Sequence, residues 1–143
     1  MPTTTATIGL SSDIGDSSIL INNTMTLYKA GSGTEGMDTM TSVSKILSST
    51  DQVDLAAYTA AGNTGASGHN FLYIKNPSTD PAEYFRIGMG ASGAGSQIII
   101  EELGFLYAGD WMMIPWSAVD ATFDVMIWPS VSTDMTVEYM IFS

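Results

Sequence analysis

The chain has no cysteine, a single histidine (His69) and only four basic residues in 143. Each shortage removes a class of function. Without cysteine, stability does not rest on disulfides, though any redox compartment remains open. With His69 alone, a Ser-His-Asp triad would have to be built on one loop histidine between Gly68 and Phe71, and no Gly-x-Ser-x-Gly elbow accompanies it. Phosphate recognition needs clustered cations, whereas Lys29, Lys45, Lys75 and Arg86 are scattered in a chain of formal net charge −11. Nucleic acid and anionic membrane surfaces are therefore not expected partners. No apolar run reaches the roughly 18 residues of a membrane span; the longest, residues 98–100 and 111–116, have strand length. The opening Met1-Pro2-Thr3-Thr4-Thr5 lacks the basic and apolar regions of a signal peptide.

Charge is scarce as well. Charged residues make up 13% of the chain, against about 25% in an ordinary soluble domain, while hydrophobic residues make up 45%. Size scaling gives a folded surface of about 7,100 Å² and burial of roughly 68% of the unfolded chain's surface, enough for one domain with its own core. Much of the outside must then be Ser, Thr, Gly and apolar side chains, which is the composition of subunit contacts. The mean hydropathy of +0.18 points the same way.

What is present is strand signal. Period-2 alternation or β-rich composition marks residues 7–10, 19–28, 43–47, 53–57, 71–76, 84–89, 98–103, 105–107, 111–114, 123–128 and 135–142. Between them lie turn clusters at 30–36, 62–68, 76–81, 88–95 and 108–110. Residues 37–50 could form a short helix, but their Thr, Ser and Val content favours an extended edge segment. In 122–127, Phe123, Val125 and Ile127 share one face, and Thr122 and Asp124 the other. In the last segment Val137, Tyr139 and Ile141 alternate with Glu138, Met140 and Phe142, so both faces are apolar. Such a strand is central in a sandwich or covered by a neighbouring chain. The expected fold is all-β: a single β-sandwich of eight to ten short antiparallel strands, with jelly-roll wiring. Residues 1–16 are expected to be an extended arm and 17–143 the sandwich domain.

No constellation makes a strong case for chemistry. Two glycine runs match G-x-G-x-x-G, at 31–36 and 88–93, but neither opens a helix able to hold a pyrophosphate, so both are expected to be hairpin loops. Acidic residues occur near one another as Asp13 and Asp16, Asp51 and Asp54, Asp80 and Glu83, and Glu101 and Glu102. Adjacent glutamates in a strand point to opposite faces and make a poor glycosidase pair. The loop Asp13-Ile14-Gly15-Asp16 offers oxygens but lacks the spacing of a calcium loop. No cofactor, catalytic residue or metal site is expected, and the sequon at Asn22 has meaning only in a secreted eukaryotic protein. The aromatics Trp111, Trp116, Trp128, Tyr73, Tyr84, Tyr107 and Tyr139 suit core or interface anchoring better than a sugar platform, and ten methionines suit irregular subunit contacts. Trp111, Trp116, Tyr139 and Phe142 are the candidate anchors, in the core or at an interface.

Three segments carry a resemblance: Phe71-Leu72-Tyr73-Ile74-Lys75-Asn76, Leu106-Tyr107-Ala108-Gly109-Asp110-Trp111-Met112-Met113-Ile114-Pro115 and Thr136-Val137-Glu138-Tyr139-Met140-Ile141-Phe142. With their "LYIKN" strand, aromatic-Ala-Gly-Asp turn and closing "VEY" strand, they resemble small β-sandwich virion proteins of tailed bacteriophages, especially marine ones. The resemblance covers about half the chain and is one of strands and turns. It implies a non-enzymatic virion component, assembled in the host cytoplasm. The expected function is a capsid decoration or cement subunit that binds the outside of the head shell as an oligomer. Its expected partners are the major capsid protein, other virion proteins and further copies of itself, as a trimer. A tail, neck or fibre component is the alternative within that class. A carbohydrate-binding module for host attachment, using exposed tryptophans, is the alternative outside it, and a glycan-cleaving enzyme using two acidic residues a third.

Overall fold

Alternation of apolar residues along each segment, with polar turn clusters between, resolves in the computed structural model into ten strands. They are β1 (Thr4–Ser12), β2 (Ile19–Leu27), β3 (Met40–Leu47), β4 (Val53–Ala56), β5 (Asn70–Lys75), β6 (Tyr84–Ala91), β7 (Ile98–Tyr107), β8 (Trp111–Trp116), β9 (Asp124–Pro129) and β10 (Met135–Phe142). The structure describes residues 3–13, 18–29, 32–48, 52–56, 69–91, 98–117 and 123–143, with the backbone alone described at 91 and 98–100. Every strand pairing is antiparallel, and no α-helix occurs among the described residues. The chain forms two compact units, Met1–Asp38 and Thr39–Ser143. The boundary suggested by composition was 16/17.

The second unit is a β-sandwich. One sheet has the order β3-β10-β5-β8 and the other β4-β9-β6-β7. The pairs β3·β10, β4·β9, β5·β8 and β6·β7 are nested, so the eight strands run as one long hairpin folded over on itself. Leu72 and Ile74 of β5, Trp116 of β8 and Val137 and Ile141 of β10 face Phe85 and Ile87 of β6, Leu106 of β7 and Val125 and Ile127 of β9 in one buried cluster. Burying each such side chain contributes roughly 1.5–3 kcal/mol, which makes this layer the main source of stability. The segment 37–50, expected to be an extended edge segment, supplies β3, an edge strand.

Three details differ from the alternation pattern. The segments 98–103 and 105–107 are one strand: Gly104 takes a φ of 150°, a conformation open to glycine, and Ile87 pairs with Gly104 while Gly88 pairs with Glu102. The extra residue, Leu103, is a bulge that re-aims the strand. The second glycine run is not a loop at its start, because Gly88 and Gly90 are residues of β6, paired with Met126 and Asp124 in the sheet interior. Phe123 precedes β9 and is 39% exposed instead of sharing the core face, while Asp124 is buried.

Two of the conspicuous motifs interlock. Asn76, which ends the "LYIKN" segment, is fully buried, and its side-chain amide donates to the carbonyls of Leu106 (3.1 Å) and Glu83 (3.2 Å). Its Oδ1 accepts from Ser78 N. Its backbone N–H donates to Asp110 O and its carbonyl accepts from Gly109 N. Asp110 closes the turn through Oδ2, which accepts from Tyr107 N at 3.0 Å, and Gly109 sits at a φ of 82°, where a β-carbon would be strained. The Asn and the Ala-Gly-Asp turn are thus two halves of one lock between β5 and the β7–β8 hairpin.

The first unit is a two-stranded ribbon, β1 paired with β2 from Thr4↔Leu27 to Ser12↔Ile19. Thr4 Oγ1 donates to Met37 O (2.9 Å), Met37 N donates to Leu27 O (2.8 Å), and Lys29 pairs with Asp38 (2.9 Å) at the foot of the ribbon. Ser32 Oγ accepts from the backbone N–H groups of Thr34 and Glu35, so the first glycine-rich run is a loop stabilised by its own side chain.

A candidate assembly surface on the outer sheet face

Register places a second apolar layer on the solvent side of the β3-β10-β5-β8 sheet. Reading across the strands, Met40 lies opposite Phe142, Phe142 opposite Phe71, and Phe71 opposite Pro115. The next row is Ser42, Met140, Tyr73 and Met113, and the next Ser44, Glu138, Lys75 and Trp111. Met40 and Trp111 are 59% and 52% exposed, and Phe71, Tyr73, Met113, Met140 and Phe142 are each half-buried by their neighbours. Tyr73 and Trp111 stack at 5.9 Å with a 31° tilt, and His69 meets the Phe71 ring edge-on at 5.1 Å. Glu138 and Lys75 face each other across the strands, so the surface carries no net charge in a chain of −11. With strands about 4.8 Å apart and about 3.3 Å per residue, it covers roughly 400 Å².

The four candidate anchors divide between the two layers. Trp116 is buried in the core, where its indole Nε1 donates to Phe123 O at 2.7 Å. Tyr139 points inward and packs against the core cluster. Trp111 and Phe142 lie on the outer face. Burial, reinforced by the negative charge of Asp54, holds the Tyr139 phenol above its ordinary pKa of 10. The folded state therefore prefers the neutral phenol. Its contribution is complete below the unfolded pKa near 10 and is lost as pH rises through the higher folded value. Tyr139→Phe is expected to flatten the loss of stability above pH 10, as read by denaturant titration at successive pH values.

The outer side of the other sheet carries a smaller aromatic group at its edge strand. Tyr84 lies 5.5 Å from Phe105 and 5.3 Å from Tyr107, and the last two are half-exposed. Beside it the Arg86 guanidinium lies 4.5 Å over the Trp128 ring and pairs with Glu102, which the bulge at Leu103 brings to that face.

Asp80, Glu83 and Glu102 serve structural contacts. Asp80 Oδ1 accepts from Ala82 N, Glu83 accepts from Ser78 Oγ, and Glu102 binds Arg86. Among the described residues no three His, Asp or Glu side chains converge as a metal-ligand set. The segment 14–17, which completes the acidic loop, and Asp51 lie outside the described residues. Met40, Phe71, Met113, Met140 and Pro115 were not singled out from sequence as members of a surface. The two-sided apolar pattern of residues 135–142 and the candidate anchors Trp111 and Phe142 signalled it, but the register that joins the strands is invisible in a single segment. No family model matches the chain, and no curated protein or solved structure matches it.

Proposed function

We propose that this chain is a non-enzymatic virion structural protein, a decoration or cement subunit that binds the outside of a phage head shell as a trimer. The observation that carries the proposal is the largely apolar face of the β3-β10-β5-β8 sheet, which has no net charge, with Trp111 and Met40 open to solvent. A face of roughly 400 Å² is about half of what one partner contributes to a standard interface. A single contact of that size is weak, whereas an assembly of copies joined through this face repeats it, and an oligomer that presents several identical surfaces to a shell gains by avidity. The nested strand order supports reading the sandwich as a jelly roll, an architecture shared by capsid and lectin domains. The acidic remainder of the surface limits non-specific sticking.

Light scattering on the purified chain, alone and with empty shells, tests this. A trimer that co-elutes with shells is the expected result; a monomer that ignores them overturns it. The exposed Trp111–Tyr73 stack and the Tyr84, Phe105 and Tyr107 group favour a second reading, a glycan-binding module for host attachment. Glycan-dependent quenching of tryptophan fluorescence that disappears in Trp111→Ala would support that reading over the first.

A further inference from the structure

The β1–β2 ribbon is amphipathic across its thickness. Register places Ala6, Ile8, Leu10, Ile19, Ile21 and Met25 on one face, interrupted by Asn23, and Thr5, Thr7, Ser11, Thr24 and Thr26 on the other, where Leu20 is the one large apolar side chain and the Thr7 and Thr24 hydroxyls bond at 2.8 Å. Ile8, Leu10, Ile19, Ile21 and Met25 are all about half-exposed. Two strands alone are marginal in water and need a covered apolar face to persist. Neither strand contains a charged residue.

We propose that the apolar face of this ribbon docks on the outer β3-β10-β5-β8 face of a second copy of the chain, each ribbon reaching the next copy in a closed ring of three. The inference rests on reading that sheet face as an assembly surface, and it names the partner. Charge selects the occupant. Two chains of −11 repel least where neither surface carries net charge; the ribbon strands have no charged residue, and on the sheet face Lys75 offsets Glu138. A basic partner would find no carboxylate on the ribbon to bind.

Area points the same way. A nine-residue, two-stranded face measures about 30 Å by 10 Å, roughly 300 Å², so two ribbons pairing with each other would bury only about 600 Å² in total, the size of a casual contact. Ribbon on sheet also buries about 600 Å² per contact, but head-to-tail repetition covers both surfaces of every copy, and a ring of three buries about 1,800 Å². A ribbon laid on a sheet about 10 Å away forms a third layer in ordinary sheet-packing geometry.

The absence of cysteine makes the test clean. Leu10→Cys marks the apolar face of the ribbon, Ser11→Cys its neighbouring polar face, and Ser42→Cys an exposed position in the outer row beside Met140. A short bis-maleimide should join Leu10→Cys chains to Ser42→Cys chains in a mixture, and should not join Ser11→Cys chains to them. The full chain carrying Leu10→Cys and Ser42→Cys together should yield covalent dimers and trimers. A monomer linked only within itself, linkage confined to Leu10→Cys with Leu10→Cys, or no linkage at all would overturn the proposal. In parallel, Leu10→Thr with Ile21→Thr, both at exposed sites, should weaken self-association by about tenfold or more in sedimentation. Unchanged association would overturn it. A wild-type oligomer that binds shells without ribbon linkage would retain the virion reading and remove this one, while ribbon linkage in a chain that ignores shells would do the reverse.

Discussion

Trp116→Ala is expected to remove about 3–5 kcal/mol of unfolding free energy, a large fraction of the roughly 5–15 kcal/mol that a folded domain possesses. Trp116 is the largest of the fully buried side chains, lying in the layer between the two sheets. Truncation leaves a cavity that strands locked in two ladders cannot collapse into, and it strands the Phe123 carbonyl, which accepts the indole N–H at 2.7 Å. Urea denaturation should show a lower midpoint at an unchanged slope. Trp116→Phe separates the two contributions, since it keeps most of the volume and loses only the hydrogen bond; it should cost about 1–3 kcal/mol. A loss below 1 kcal/mol for Trp116→Ala would mean that this side chain does not fill the core.

Asn76→Ala is the second large effect, at about 2–4 kcal/mol. The side chain bridges two carbonyls and one N–H from three separate positions, and alanine leaves these backbone groups without that bridge. Asn76→Asp is the sharper variant. A carboxylate still accepts from Ser78 N but cannot donate to Leu106 O or Glu83 O, so it places negative charge against two carbonyl oxygens in a buried site. It is expected to be less stable than Asn76→Ala at neutral pH and to recover part of the difference in acid, where the carboxyl regains a proton to donate. Thermal melts at pH 7 and pH 4 measure this. Equal stability of the two variants at both pH values would contradict the donor role of Asn76.

Strand positions were legible because burial on one side of a sheet forces a period of two, as in residues 70–75, where buried and half-buried side chains alternate strictly. Parity also carries information about the candidate anchors. Trp111 and Trp116 are five apart on one strand and Tyr139 and Phe142 three apart on another, so each pair must split between the two faces. Which member turns inward is decided by the partner strands, and that choice cannot be read from either segment alone. Gly104 looked like a break between two strands because glycine marks turns and bulges alike. The ribbon was legible only in part: residues 7–10 and 19–28 carry strand signal, but Thr-rich β1 averages in composition to an extended arm, and its pairing with β2 does not show in either segment alone. Asn76 and Asp110 stood out as parts of motifs, but their mutual contact spans 34 positions in sequence and is created only by folding.

The nesting of the sandwich strands has a consequence for how the chain reaches this structure. β3 and β5 are not paired with each other; both pair with β10, which follows them in the chain. Until β10 arrives, an emerging chain holds two strands of this sheet with vacant edges on the sides that will face each other, and their Leu47, Leu72 and Ile74 side chains have no finished layer to enter. Closure is therefore expected late and all at once, with slow kinetics set by long-range pairing and a window in which unpaired edges invite aggregation. High-level synthesis should favour insoluble material at warm growth temperatures and soluble protein at cool ones, a demand on the cell that comes from strand order alone.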